Sequence, residues 1–318
     1  YSIMPNYNGV WSLSTQYQNV ADWPVIPITG DVAFFGKASN TVALDYVVIT
    51  TLGDSVNWGT LTVNHTYATG TGNTTRGLVM GGNSAGQTVT FMTNASAGTH
   101  GDFGDLIATQ TFYNSNSHAS ATRALFFGPY SNTDSIEFFT IASAGNATAF
   151  GDMTARGYGA ATGSTTRAVI GGGFTNQYIN VIDYVTIASE GDSTDFGDLL
   201  SNSAGNSACS SNTRALFAGG ISSGSTRLNV IAYVTIASAG NASDFGDLAT
   251  NDGNYNIGDW SASNLTRGLF FNHVNSEADV QYVTIASTGN AAAFGDLTNN
   301  NASTANGFSF SNSHGGLA

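Results

Sequence analysis

The chain is poor in charge. Of its 318 residues only 9% are Asp, Glu, Lys or Arg, against roughly 25% in an average soluble domain, so solubility rests on amides, hydroxyls and glycine. Lys and Arg together number eight against 21 Asp and Glu, a formal charge of −13. With no basic stripe to neutralise phosphates, nucleic acid is not an expected partner. The single cysteine, Cys209, excludes an intrachain disulfide and any metal cluster that needs two thiolates. Apolar runs are short, as in Val32 to Phe35, far below the ~18 residues of a membrane-spanning helix. Tyr1 follows no charged and apolar leader, so the chain reads as soluble, a fragment or processed form. Four prolines and 39 glycines without a Gly-X-Y period exclude collagen and call for many tight turns. With 41% apolar residues a core exists, and turn-rich plus apolar predicts an all-β protein.

What is abundant is repetition. Arg76, Arg123, Arg167, Arg214 and Arg267 each open an apolar run, at intervals of 47, 44, 47 and 53 residues. Behind each run comes an aromatic with a second aromatic twelve positions on: Phe91 and Phe103, Phe138 and Phe150, Tyr184 and Phe196, Tyr233 and Phe245, Tyr282 and Phe294. Tyr46 with Trp58 and Trp11 with Trp23 keep the same spacing, which makes seven pairs. The Trp11–Trp23 pair has no apolar strand before it, whereas the strand-like Gly307 to Phe310 has no pair after it. The two ends complete each other as one split unit.

Each unit reads as four short strands. In the fifth they are a small-residue inner strand from Ser207 to Ser211, then Ala215 to Ala218, Val230 to Ala237 and an outer Asp244 to Leu248. The expected fold is a seven-bladed β-propeller of four-stranded blades, one domain over residues 1–318. Its closing blade is split between about residues 1–28 and 300–318, with six full blades of about 45 residues between.

Glycine doublets after the second strand (Gly81-Gly82, Gly172-Gly173, Gly219-Gly220), together with the two aromatics, resemble kelch repeats. The run TRALFAGG…NVIAYVTIASAGNASDFGDL is similar to the kelch-like repeats of marine and cyanobacterial phage virion and tail-fibre proteins. The resemblance covers residues 75–297. It implies a propeller in a virion or an extracellular setting, with host attachment and not catalysis as its role.

Five units carry Phe-Gly-Asp after their last turn, and in the unit that begins near Asp31 the Arg and the Asp are both lost. Residues kept or lost together predict an ion pair within each blade: Arg76–Asp105, Arg123–Asp152, Arg167–Asp198, Arg214–Asp247 and Arg267–Asp296. Lys37, Arg156 and Arg227 are then the basic residues left for function.

No catalytic constellation emerges. The five histidines share no spacing and read as isolated surface or loop residues. No Gly-X-Ser-X-Gly elbow is present, Cys209 lies in an inner strand, buried and inert, and the glycine doublets close strands without opening helices. No metal or cofactor is expected. Ca²⁺ is the one ion that acidic loops such as Glu190, Asp192 and Asp195 suit, without an EF-hand spacing.

Divergence between copies falls on the loops between strands two and three and between blades. These emerge on one face, the expected binding face. Its candidates are Tyr113, Tyr130, Phe174, Tyr178, Arg227, Tyr255, Asp259 and Trp260, aromatics beside amides that suit a host glycan or another particle protein. Two other readings are a structural propeller assembled into a homo-oligomer or filament, and a glycan-processing enzyme using Asp259 and Glu277.

Overall fold

The computed structural model describes residues 31–36, 42–65, 67–82, 85–95, 100–108, 116–128, 133–249, 260–271, 279–297 and 307–314. They form six four-stranded antiparallel sheets. From the inner strand outward, blade 2 is Thr69–Gly72, Arg76–Met80, Thr88–Thr93 and His100–Asp105. Blade 3 is Ser117–Ala119, Arg123–Phe127, Thr133–Thr140 and Thr148–Arg156, and blade 4 is Ala160–Gly163, Arg167–Gly171, Val181–Thr186 and Thr194–Asp198. Blade 5 is Ser207–Ser210, Arg214–Ala218, Val230–Thr235 and Ser243–Asp247, and blade 6 is Trp260–Ser263, Arg267–Phe271, Asp279–Thr284 and Ala292–Asp296. Blade 1 takes its inner strand, Phe308–Ser311, from the far end of the chain and continues with Val32–Gly36, Ala43–Val48 and Val56–Thr60.

The fold is therefore a six-bladed propeller, and the expected count of seven is corrected. The C-terminal strand does not complete a unit with Trp11 and Trp23, which lie outside the described residues. It pairs with Val32–Gly36, Phe34 facing Phe310 and Gly36 facing Phe308, and supplies the inner strand that blade 1 lacks. Six apolar clusters fill six joints, each cluster drawn from two adjacent blades. Blade 1 meets blade 6 through Phe35 and Phe271, 5.1 Å apart. It meets blade 2 through Phe34, Phe310, Val79 and Met92, so the ring is full. Each blade is hydrophobic on both faces and satisfies both only by having two neighbours, which is why the ring closes.

Serine hydroxyls join the inner strands around the axis. Ser117 donates to Gly70 O at 3.0 Å, Ser210 to Gly163 O at 2.6 Å, Ser261 to Ala208 O at 2.7 Å and Ser309 to Ser261 O at 2.9 Å. Small side chains let the strands converge, and their hydroxyls satisfy carbonyls that no neighbouring strand pairs.

A second set of bonds is repeated at five joints. The turn after each third strand docks on the outer strand of the preceding blade. Gly145 N–H donates to Phe103 O (2.7 Å), Ala147 N–H to Asp105 O (2.8 Å), and Asp105 N–H to Asn146 Oδ1 (3.1 Å). Asp152, Asp198, Asp247 and Asp296 make the same bonds to the turns at residues 191–193, 240–242, 289–291 and 53–55. The glycine of Phe-Gly-Asp permits this approach, since a Cβ on Gly151 would lie 2.3 Å from Gly191 O. A β-bulge accompanies every outer strand, which turns these exposed edges away from strand addition.

The repeated arginines complete the same joints and do not form the expected pairs within their blades. Arg76 Nη1 donates to Ile141 O of the next blade at 2.7 Å, and Arg123, Arg167, Arg214 and Arg267 do likewise to Ile187, Ile236, Ile285 and Ile49. Each guanidinium lies over the third-strand aromatic of its own blade, 4.3–4.9 Å from Phe91, Phe138, Tyr184, Tyr233 or Tyr282. That aromatic meets its partner twelve positions on edge to face, 5.9–6.4 Å away. A half-exposed cation–π contact of this kind is worth about 0.5–1 kcal/mol. Asp105, Asp152 and Asp296 are exposed, Asp198 and Asp247 half-exposed, and what these residues give the joint is backbone. Arg and Asp vary together because both clasp one turn, not each other.

Gly151→Ala should lower stability by about 2–4 kcal/mol through this close approach, whereas Gly145→Ala, with nothing within 4 Å of its Cβ, should change it by less than about 0.5 kcal/mol. Urea unfolding of the two variants checks this; equal losses would mean that the joint is not tightly fitted.

Candidate binding face

Among the described residues, the loops between strands two and three of blades 4 and 5 meet the linkers that lead into those blades. On blades 3 to 5 they are knitted by backbone hydrogen bonds. Phe174 N–H donates to Gly157 O at 2.8 Å, and Gly157 N–H to Phe174 O at 2.9 Å. Gly205 N–H donates to Tyr158 O at 2.9 Å, Gly173 N–H to Ser203 O at 2.8 Å, and Ala204 and Ile221 exchange bonds at 3.0 and 2.8 Å. Four segments thus form one platform. Its last part is a small hairpin, Ile221–Ser222 with Thr226–Arg227, turned by Gly224 and Ser225 at φ +73° and +59°.

Arg156 lies under this platform. The sequence leaves it free for function, but it is 1% exposed, ion-paired to Asp183 and bonded to the carbonyls of Gly172 and Val181 at 3.0 and 2.8 Å. Burial pulls its guanidinium below the ordinary range, and Asp183 opposes that shift. Asp183 also accepts from Thr154 N–H at 3.2 Å. Glu137 and Gln281 hold the same register position and accept from Ile107 and Ala249 N–H at 3.0 and 2.8 Å. A buried acceptor on the third strand thereby fixes where the preceding linker enters the face. Blade 5 has Ala232 there, and a cleft of about 20 Å³ beside it is lined by Leu199, Asn206, Leu228 and Ala232.

Of the sequence candidates, Phe174 and Tyr178 come together on the platform, half-buried and edge to face at 5.1 Å. Asn176 and Gln177 are exposed beside them. Arg227 lies partly buried in the hairpin. Trp260 is a correction: it is 7% exposed, belongs to the inner strand of blade 6 and packs with Phe35 and Phe271, where its ring occupies the space a side chain at Gly307 would need. Tyr113, Tyr130, Tyr255, Asp259 and Glu277 lie outside the described residues. Two of the acids read as a Ca²⁺ loop are part of a joint, Glu190 with Arg123 at 3.2 Å and Asp192 with Asp152 N–H at 3.0 Å, and Asp195 is exposed on the outer strand of blade 4. Among the described residues no three His, Cys, Asp or Glu side chains gather in a metal-binding group.

Sequence reasoning passed over Tyr158. It holds φ +56°, and Tyr67, two residues before the inner strand of blade 2 as Tyr158 is before that of blade 4, holds +61°. Blade 5 fills this position with Gly205 at +71°. A bulky residue in the left-handed region costs on the order of 1–2 kcal/mol, so the tyrosines are kept at the expense of stability. The absence of glycine from a turn that needs it was the signal.

Three histidines are buried, against the surface or loop reading. His65 bonds Gly81 O at 2.9 Å and Thr90 Oγ1 at 2.8 Å. His118 and His314 bond Ser164 O and Gly72 O, each at 2.8 Å, and stand beside one another at the axis. Burial pulls their pKa values from 6.5 to about 4 for His65 and about 4 for His314, and burial together with the neighbouring His314 pulls His118 to about 3. Cys209 is buried as expected, with its thiol pKa pushed far up. The axial cavity is only about 40 Å³, room for a few waters.

The described residues define a class: a six-bladed propeller whose blades 3 to 5 carry a hydrogen-bonded loop platform. No protein-family model matches the chain, and no curated protein matches it in sequence.

The histidines make the fold acid-sensitive. Each binds a proton near pH 6.5 when unfolded and stays neutral to about pH 4 or below when folded. Stability is full above pH 6.5 and falls as pH drops, by roughly 1.4 kcal/mol per pH unit for each histidine. Urea midpoints at pH 7, 5.5 and 4.5 should decline, with a shallower slope in His65→Gln; a flat profile contradicts the burial of neutral imidazoles.

Proposed function

We propose that this chain is a non-enzymatic attachment module that binds a host-surface glycan through the platform on blades 3 to 5. The observation that carries this reading is the Phe174–Tyr178 pair, held on a hydrogen-bonded base beside the exposed amides of Asn176 and Gln177. An aromatic face accepts the C–H side of a sugar while amides and carbonyls exchange hydrogen bonds with its hydroxyls. A prearranged platform loses little entropy when it binds. The strained backbone of Tyr158, next to the bond that anchors Phe174, fits a site where stability is given up for function. The resemblance of the repeat sequence to kelch and phage virion repeats supports a setting on a virus particle or another extracellular structure.

A glycan array probed with the labelled chain tests the proposal. Saturable binding to a defined glycan class is expected, weakened at least roughly tenfold, ~1.4 kcal/mol, by Phe174→Ala or Tyr178→Ala with little change in melting temperature. Tyr158→Gly should melt no lower than the parent, and it should bind more weakly. Binding that survives both aromatic substitutions, or no glycan binding beside concentration-dependent self-association, would move the assignment to an assembly propeller. Immunogold labelling should place the chain on particles; label confined to cells would remove the virion setting.

A further inference from the structure

The axial histidine pair is a separate feature, unused by the binding face. His118 belongs to the inner strand of blade 3 and His314 follows the inner strand of blade 1. They are 196 residues apart in the chain, yet their ring centres are 5.0 Å apart at an interplanar angle of 68°. Each Nε2 lies 2.8 Å from a backbone carbonyl oxygen, Ser164 for His118 and Gly72 for His314. A carbonyl only accepts, so each Nε2 carries the proton and each Nδ1 carries a lone pair. Among the described residues neither Nδ1 has a hydrogen-bond partner, although both imidazoles are buried.

Three of the neighbouring hydroxyls are already committed. Both rings line the axial cavity with Thr71, Thr162, Ser263 and Ser311. The hydroxyls of Ser263 and Ser311 already donate to Ser210 O and Ser263 O, and that of Thr162 donates to Ser210 Oγ. What remains on the two rings is a pair of Nδ1 lone pairs beside the hydroxyl of Thr71.

We propose that the propeller axis holds a divalent d-block cation between Nδ1 of His118 and Nδ1 of His314. With metal–nitrogen bonds of about 2.0–2.1 Å and a tetrahedral angle, two imidazole centres fall roughly 5 Å apart, the separation found here. Donation of the remote ring N–H to a backbone carbonyl is how metal-ligating histidines are oriented. Imidazole nitrogen selects Zn²⁺, Cu²⁺ or Ni²⁺ over Mg²⁺ and Ca²⁺. The remaining positions would fall to serine or threonine oxygens and water. The ion would tie blade 3 to the C-terminal segment that closes the ring, across blade 2.

The test is titration of the metal-free full chain with Cu²⁺ at pH 7.5, followed by electron paramagnetic resonance. One ion per chain with hyperfine coupling to two nitrogens is expected, and Zn²⁺ should raise the melting temperature. His118→Gln and His314→Gln should each weaken binding at least roughly tenfold, while the glutamine amide of His314→Gln keeps a donor for Gly72 O. A crystal soaked in Zn²⁺, with anomalous density between the two rings, decides the matter if either variant fails to fold. Binding undiminished in the double variant, a spectrum without two-nitrogen coupling, or only an ordered water between the rings overturns the proposal.

Discussion

The structure depends on how one blade grips the turn of the next. A four-stranded blade presents apolar side chains on both faces and cannot stand alone, so its stability lies in its joints. There the turn after each third strand is held three ways at once. The outer strand of the preceding blade exchanges backbone hydrogen bonds with it, the glycine of that strand gives it room, and the arginine reaches over its own aromatic pair to the isoleucine carbonyl where the turn begins. Lysine could make one of these bonds but would neither lie flat on the ring nor hold the carbonyl in a fixed direction. This accounts for a chain with eight basic residues placing five of them at one repeated position.

Much of this was legible because the joint is written in side chains. The twelve-residue aromatic spacing marks the edge-to-face pair, and the loss of Arg and Asp together marks their shared purpose. The inference from that covariation to an ion pair failed because Asp105 and its counterparts act through their backbone, and a side-chain pattern does not reveal which atom of a residue is used. The blade count failed for a related reason. Residues 308–311 read equally well as the start of a unit completed by Trp11 and Trp23 or as the missing inner strand of the Val32 blade. Only the register of Phe310 on Phe34 decides between them.

The candidate face was legible in position and less so in content. Divergence from the repeat located the loops, and Phe174 with Tyr178 are where it pointed. Trp260 was misplaced because the divergent segment runs directly into an inner strand, and its ring fills the space left by Gly307 in the neighbouring blade. Arg156 stood outside the repeated arginines, but it sits in a blade 3 outer strand nine residues long, whose extra length carries it into blade 4. The axial histidines left no local signal, since residues 118 and 314 are brought together only by ring closure.

The same logic explains how the ring closes where its clasp is missing. Blade 1 has Val32 at the arginine position, as its pairing with Val48 shows beside that of Arg76 with Thr93, and Trp58-Gly59-Thr60 in place of Phe-Gly-Asp. In blade 2 the isoleucine that would receive the arginine is Asn94, which bonds Asn73 O of its own blade at 2.7 Å. The arginine, the isoleucine that would receive it and the Phe-Gly-Asp are exchanged together at this joint, and aromatic mass stands there. Phe34 stacks on Phe310 at 5.2 Å and meets Trp58 edge to face at 5.7 Å, and Phe308 is packed into the same cluster. Burying such rings contributes on the order of 1.5–3 kcal/mol each, more than a cation–π contact with a carbonyl bond beside it. The strand that closes the ring is the last of the described strands along the chain and has four residues with which to hold. Two of the four being phenylalanine gives it a non-directional grip on the rest of blade 1 and on blade 2 together.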